Sequence, residues 1–310
     1  MSTLLQRLIA ALRGRGAVIG VPYLWLLVFF LLPFLIVLRI SLSEMDGVQF
    51  KDLFSYADGV LQMAVKLANY VFIVEDDLYI ATYLSSLKYA AVTTALCLAI
   101  GYPFAYFMAR ARPTLQPALL MLVMLPFWTS FLLRVYAWKG LLGEGGWVAD
   151  ILIALGIDQV LAALGLIPSE GKFMNSPFSL VLGMTYTYLP FMILPLYANL
   201  AKMDLRLLEA AADLGTTPFK AFWLITVPLS KAGIIAGSML VFIPCVGEFV
   251  IPELLGGPQT LMIGRVLWDE FFSNNDWPMA SAVAVVMILL IIVPLAVFNR
   301  YQAEAAEARR

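Results

Sequence analysis

Few side chains in this 310-residue chain can do chemistry, and their types narrow what that chemistry can be. There is no histidine, which excludes His-based metal sites, Ser-His triads and histidine proton relays. The two cysteines, Cys97 and Cys245, lie inside apolar runs and read as small packing residues rather than as a disulfide. No Gly-rich loop ending in Lys-Ser/Thr occurs, so the chain does not supply ATP hydrolysis by that device. No paired catalytic Asp motif stands in facing apolar stretches, so catalytic residues, metals and cofactors are not expected. The informative group is Glu248, well inside an apolar stretch where an ionisable side chain is costly and is a functional candidate by default. A carboxylate there could receive an ammonium group, with Trp128, Tyr186 and Tyr188 as aromatic faces for the cation. The competing reading is a structural ion pair with Arg134. Glu253, Asp269 and Glu270 fall at the expected outer mouth, where acids would concentrate cations.

The elements that position these groups are membrane spans. The chain is 62% hydrophobic and only 13% charged, with mean hydropathy +0.89. Soluble domains carry about 25% charged residues, so the bilayer must be the solvent for so much apolar surface. Crossing about 30 Å of hydrocarbon takes roughly 20 helical residues. Charge-poor stretches of that length run from Val21 to Leu38, Tyr89 to Ala109, Pro113 to Leu133, Phe173 to Ala201, Ala232 to Gly256 (interrupted by Glu248 and Glu253) and Trp277 to Asn299. The expected fold is therefore an all-α integral membrane protein of six transmembrane helices, its permease domain spanning residues 21–300. Pro33, Pro103, Pro126, Pro190, Pro195, Pro244 and Pro294 lie within the spans, where kinks permit helix rearrangement.

Cationic residues orient the spans. With both termini in the cytoplasm, Arg7, Arg13, Arg15, Arg110, Arg112, Lys202, Arg206, Lys220, Lys231, Arg300, Arg309 and Arg310 are inside, and 16 of the 21 acids are outside. Residues 1–20 then form a cytoplasmic segment and residues 301–310 a cytoplasmic tail. The apolar stretch after Arg15 is too long for a signal-peptide core and ends in a poor cleavage site, so it is expected to be retained. Leu4, Leu5, Leu8, Ile9 and Leu12 against Arg7 and Arg13 suit either a short interfacial helix or a basic tail that enforces topology. Two external segments, 43–87 and 143–172, are too long to be simple connectors. The second carries an amphipathic helix from Trp147 that stops at Gly156. Together they suggest an outer cap able to receive a soluble partner. No internal repeat is evident, which weighs against an ion-coupled secondary transporter.

The longest cytoplasmic loop, 202–231, has strong local signals. Asp204 can cap a helix over residues 205–214, and Gly215 can stop it. Thr217 can cap a second helix with Pro218 at its first position, ending near Pro228. Glu209-Ala210-Ala211, then Gly215, Ile225 and Pro228, stand at the offsets of the cytoplasmic "EAA" loop, and on these residues the chain resembles the permeases of ABC importers. Val227 replaces the usual leucine. Residues 125–138, 233–244 and 247–258 further resemble polyamine (putrescine/spermidine) uptake permeases, the putrescine-type most closely.

The resemblance implies a type I ABC importer permease (MetI-like) fold in a bacterial inner membrane, multi-pass, with no enzymatic activity of its own. It implies that Glu209, Ala210, Ala211, Gly215, Ile225 and Pro228 form a coupling helix docking on an ATPase. The implied partners are a second permease subunit, two ATP-binding subunits and a periplasmic substrate-binding protein, with no nucleic acid. Putrescine is the expected substrate; the alternatives are another small organic cation and, less well matched to the capped loop, an ion-coupled transporter.

Overall fold

A computed structural model describes residues 15–46, 49–50, 54–57, 60–63 and 66–307. The segment Leu4–Arg13, considered above as an interfacial helix, lies outside the described residues. Among the described residues, four helices are long and apolar enough to cross a membrane: α1 (Val18–Ser41), α3 (Asp77–Arg110), α8 (Pro177–Leu200) and the first part of α14 (Trp277–Glu307). Two bent helix pairs meet the same test jointly: α4–α5 (Gln116–Trp128 and Phe131–Leu142, bent by 87°) and α10–α11 (Pro218–Leu229 and Lys231–Val246, bent by 65°). Six spans result if each pair counts as one.

Two sequence expectations need correction. The third span, 113–133, is not one helix. Pro126 tightens residues 125–128 into a 3-10 turn, Thr129 and Ser130 adopt extended dihedrals, and the helix restarts at Phe131. The Thr129 hydroxyl donates to the Pro126 carbonyl at 2.8 Å, occupying an acceptor that the helix would otherwise have used. The fifth span, 232–256, stops at Val246 and resumes after Gly247–Phe249 as α12 (Val250–Leu255). Elsewhere helices overrun their expected limits: α3 begins within the expected external segment, and α14 continues into the expected tail.

The chain forms two compact units, Met1–Glu75 with Asp269–Val286, and Asp76–Trp268 with Met287–Arg310. In the first, α1 leads to two short antiparallel hairpins, β1 (Met45–Asp46) with β2 (Gln49–Phe50) and β3 (Phe54–Ala57) with β4 (Val60–Met63), then to α2 (Ala68–Glu75). The chain returns to the end of α1 after this excursion. Tyr70 meets the Ser41 hydroxyl at 2.7 Å, Asn69 donates to the Ser41 and Ser43 carbonyls, and Lys66 pairs with Glu44.

The second unit is built on α3, α8 and α11, which pack on one another. Lipid offers no hydrophobic drive for helix association, so close packing through small residues must supply it. Gly233 and Gly237, one turn apart on α11, face α8. A Cβ on Gly237 would lie 2.7 Å from Met192 Sδ and 3.1 Å from the Met192 carbonyl oxygen. Around this contact Cys97, Met184, Met192, Leu196, Val241 and Cys245 are fully buried, and both cysteines are free thiols, as packing residues should be. Prolines shape two further stretches. The residues before Pro33 and Pro228 are π-helical, Leu27–Leu31 and Phe222–Thr226. Each widened turn contains the carbonyl four residues before the proline, which a proline ring would otherwise crowd.

Gly237→Leu is expected to drive α11 off α8, at a cost of about 1–3 kcal/mol or more. Purified variant protein should unfold at lower temperature and elute as aggregate on size exclusion. Gly20→Leu, where nothing lies within 4 Å of the added Cβ, should leave both unchanged.

Candidate functional site: a capped helix break and an exposed helix pair

Glu248 sits in the break between α11 and α12 rather than in a continuous span. Ending α11 at Val246 leaves the first N–H groups of α12 without intrahelical acceptors, and buried amides need another partner. The Glu248 carboxylate is that partner. Its Oε1 accepts from the Val250 amide at 3.1 Å and the Ile251 amide at 3.4 Å, and its Oε2 accepts from the Tyr188 hydroxyl. Gly264, in α13 (Ile263–Trp268), lets backbone close over the break, since a Cβ there would stand 2.5 Å from the Gly247 carbonyl oxygen. Phe249 stacks on Trp268 at 4.6 Å. Glu248 is 9% exposed and Tyr188 7%.

Of the aromatic residues named from sequence, the structure brings only Tyr188 to Glu248. Tyr186, two residues along α8, points the other way and meets Trp138 edge-on at 5.4 Å. Trp128 stands at the break of the third span, 76% exposed. The ion pair of Glu248 with Arg134 is not formed: among the described residues the donors to Glu248 are Tyr188 and the two amides. Arg134 instead lies over the rings of Phe127 and Phe131, at 5.9 and 6.0 Å. Three rings separate the two charges. Phe127 meets Phe191 at 5.1 Å, and Phe191 meets Tyr188 at 6.2 Å. Sequence reasoning missed Phe127 and Phe191, because an apolar span gives no sign of which aromatic residues face each other. The two broken spans are thus joined through α8, and α12 also packs on α5 and α8.

A carboxylate has about four acceptor directions. Three are filled here, so an ammonium group could bind Glu248 either as a further donor or in place of the tyrosine hydroxyl.

The second feature is the helix pair α9 (Arg206–Asp213) and α10. Asp204 Oδ1 accepts from the Arg206 amide at 3.0 Å, and Gly215 ends the turn with φ +80°, a left-handed conformation that a glycine adopts without steric cost. The Thr217 hydroxyl accepts from the Lys220 amide, with Pro218 at the first helical position. Glu209 and Ala210 are exposed, Ala211 is buried, Gly215 and Pro228 are exposed, and Ile225 is half-buried. Glu209 makes no ion pair or hydrogen bond among the described residues, so pairing with Arg206 or Lys202 does not account for it. Leu214 and Phe219 beside it are 87% and 74% exposed. The pair is nonetheless firmly seated. Tyr102 meets the Ser230 hydroxyl at 2.7 Å, and Phe222 takes the edges or faces of Tyr102 and Tyr106 at 5.5 and 5.7 Å. Arg110 lies over Tyr106 at 5.0 Å.

This arrangement of spans is the fold of ABC importer permeases. A bacterial importer of the acidic polysaccharide alginate superposes with a TM-score of 0.63 at 14% identity, over 96% of this chain and 99% of that one. The inward-facing methionine importer MetNI gives 0.51 at 14% identity, over 72% and 93%. At 14% identity these likenesses establish the fold. Residues 98–305 match the family of binding-protein-dependent transport system inner membrane components, and the chain belongs to that family. Among its relatives is the spermidine/putrescine transport system permease protein PotB of Haemophilus influenzae, 38% identical over 91% of this chain and 92% of that protein. PotB of Escherichia coli is 36% identical over 89% and 93%. The inner membrane ABC transporter permease protein YdcU of Escherichia coli is 35% identical over 70% of each chain.

Glu248→Ala should leave the first amides of α12 unsatisfied and cost about 1–3 kcal/mol, with Tyr188→Phe costing less because the backbone bonds survive. Thermal unfolding in detergent would rank the two; an Ala variant as stable as the parent would remove the capping role.

Proposed function

We propose that the chain is a translocation subunit of an ATP-driven polyamine importer in a bacterial inner membrane, its termini cytoplasmic. The observation that carries this reading is similarity to PotB proteins along nearly the whole chain, rather than along a shared core alone. Putrescine is the substrate we favour, from the resemblance of residues 247–258 to putrescine-type permeases. Glu248 with Tyr188 is the proposed cation-receiving point of the path. An ammonium group gains there both a carboxylate and a phenol ring.

The exposed α9–α10 pair is the proposed coupling element. Glu209 offers an unengaged carboxylate for a basic residue, and Leu214 and Phe219 offer apolar surface that an ATP-binding subunit would cover. A second permease chain, two ATP-binding subunits and a periplasmic binding protein would complete the assembly. The related alginate importer has been seen with its own substrate-loaded periplasmic protein.

Two variants test these roles. Glu209→Lys should abolish ATP-dependent uptake by the reconstituted importer while membrane insertion stays normal; unimpaired uptake would remove the coupling role. Glu248→Gln should lower polyamine uptake at limiting substrate by tenfold or more, about 1.4 kcal/mol, with the complex still assembling. Competition among putrescine, spermidine and unrelated organic cations in the same assay distinguishes the substrate readings.

A further inference from the structure

The external segment after α5 folds into two helices, α6 (Trp147–Ala154) and α7 (Ile157–Ala163), that the transport reading leaves without a task. Their inner side is fixed. Ala149 and Leu161 are buried with Leu142, Ile167 and Phe173, and Trp138, Phe178 and Leu182 pack against that cluster. Those residues lie at the ends of α5 and α8, so the pair is clamped to the rim of two spans. Only Gly143-Glu144-Gly145-Gly146 separate α5 from α6, a reach of at most about 14 Å.

The outer side carries an apolar stripe. Trp147, Ile151 and Leu155 follow one another at helical spacing and are 63%, 48% and 68% exposed, and Val160 and Leu164 on the next helix are 59% and 66% exposed. The charged residues between Lys139 and Lys172 are four acids, Glu144, Asp150, Asp158 and Glu170, and none of them falls at the positions of the Trp147–Ile151–Leu155 stripe. On α5 itself Leu133 and Tyr136 are 67% and 55% exposed. A tryptophan at the level where a span ends is the usual occupant of the headgroup boundary.

We propose that α6 and α7 form an interfacial anchor, their Trp147–Ile151–Leu155 face lying in the headgroup–acyl boundary of the leaflet at the Leu142 end of α5. The occupant of this face is lipid, so it is not the docking surface for a soluble partner. An amphipathic pair held at this depth would resist tilting of α5 and α8 while the helix breaks beside Trp128 and Glu248 rearrange.

Depth measurement tests this without burdening the fold. Cysteines would be introduced singly at Asp150, Ile151, Leu155, Leu164 and Glu170, all exposed, and spin-labelled in the full chain copurified with its partner subunits; Cys97 and Cys245 are buried. In phosphatidylethanolamine–phosphatidylglycerol nanodiscs, labels at 151, 155 and 164 should collide more with oxygen than with a nickel chelate, and labels at 150 and 170 the reverse. Higher nickel accessibility at 151 and 155 would place the face in water and overturn the proposal. Protection from both reagents, or a change on adding the substrate-binding protein, would mean that protein covers the face and would overturn it equally.

Discussion

A helix that breaks inside a bilayer must find acceptors and donors for the backbone groups it releases, because hydrocarbon supplies none. The rest of this structure can be understood from that constraint. At the break after Val246 the acceptor is Glu248, whose carboxylate holds the Val250 and Ile251 amides and the Tyr188 hydroxyl. The same side chain that makes the break tolerable is the only carboxylate between the ends of α11 and α12 that is both buried and polar-bonded. Three of its roughly four acceptor directions are thereby committed to holding the bent span together. The Tyr188 bond ties the break before α12 to α8.

That tie extends further than one hydrogen bond. Phe191 and Phe127 carry contact from Tyr188 to the break of the third span, where Arg134 rests on aromatic rings. In the core, Gly237 lets the α11 backbone approach α8 at a distance no side chain would allow. Tyr102, Tyr106 and Phe222 hold α10 and the residue after it to α3. Helix α9 packs on α10, and α3 and α11 pack with α8 to define the unit.

Much of this was legible in the residues. Charge-free stretches marked the spans, and the capped pair over 204–229 appeared as its Asp, Gly, Thr and Pro signals require. The break at Thr129–Ser130 was not legible, because both residues are compatible with a continuous apolar helix and the decisive bond, from Thr129 to the Pro126 carbonyl, is invisible in composition. The pairing of Glu248 with Arg134 looked plausible because opposite charges in neighbouring spans attract. The fold instead placed three aromatic rings between them. Trp128 and Tyr186 were chosen as aromatic neighbours by span alone, and helical periodicity turned Tyr186 away from Tyr188.

What the sequence alone determined was the solvent, the number of apolar stretches and the local form of the polar loop, since each depends on residues close together in the chain. Hydropathy, capping and proline effects act over a turn or a span and need no partner. Tertiary structure decided where spans bend, which aromatic rings meet and what the buried carboxylate holds. Those outcomes depend on helix rotation and register between distant segments, set by contacts such as Gly237 on Met192 and Gly264 on the Gly247 carbonyl. Glu248 could be singled out from its cost in an apolar run; its three donors could be known only after α8, α11 and α12 had been brought together.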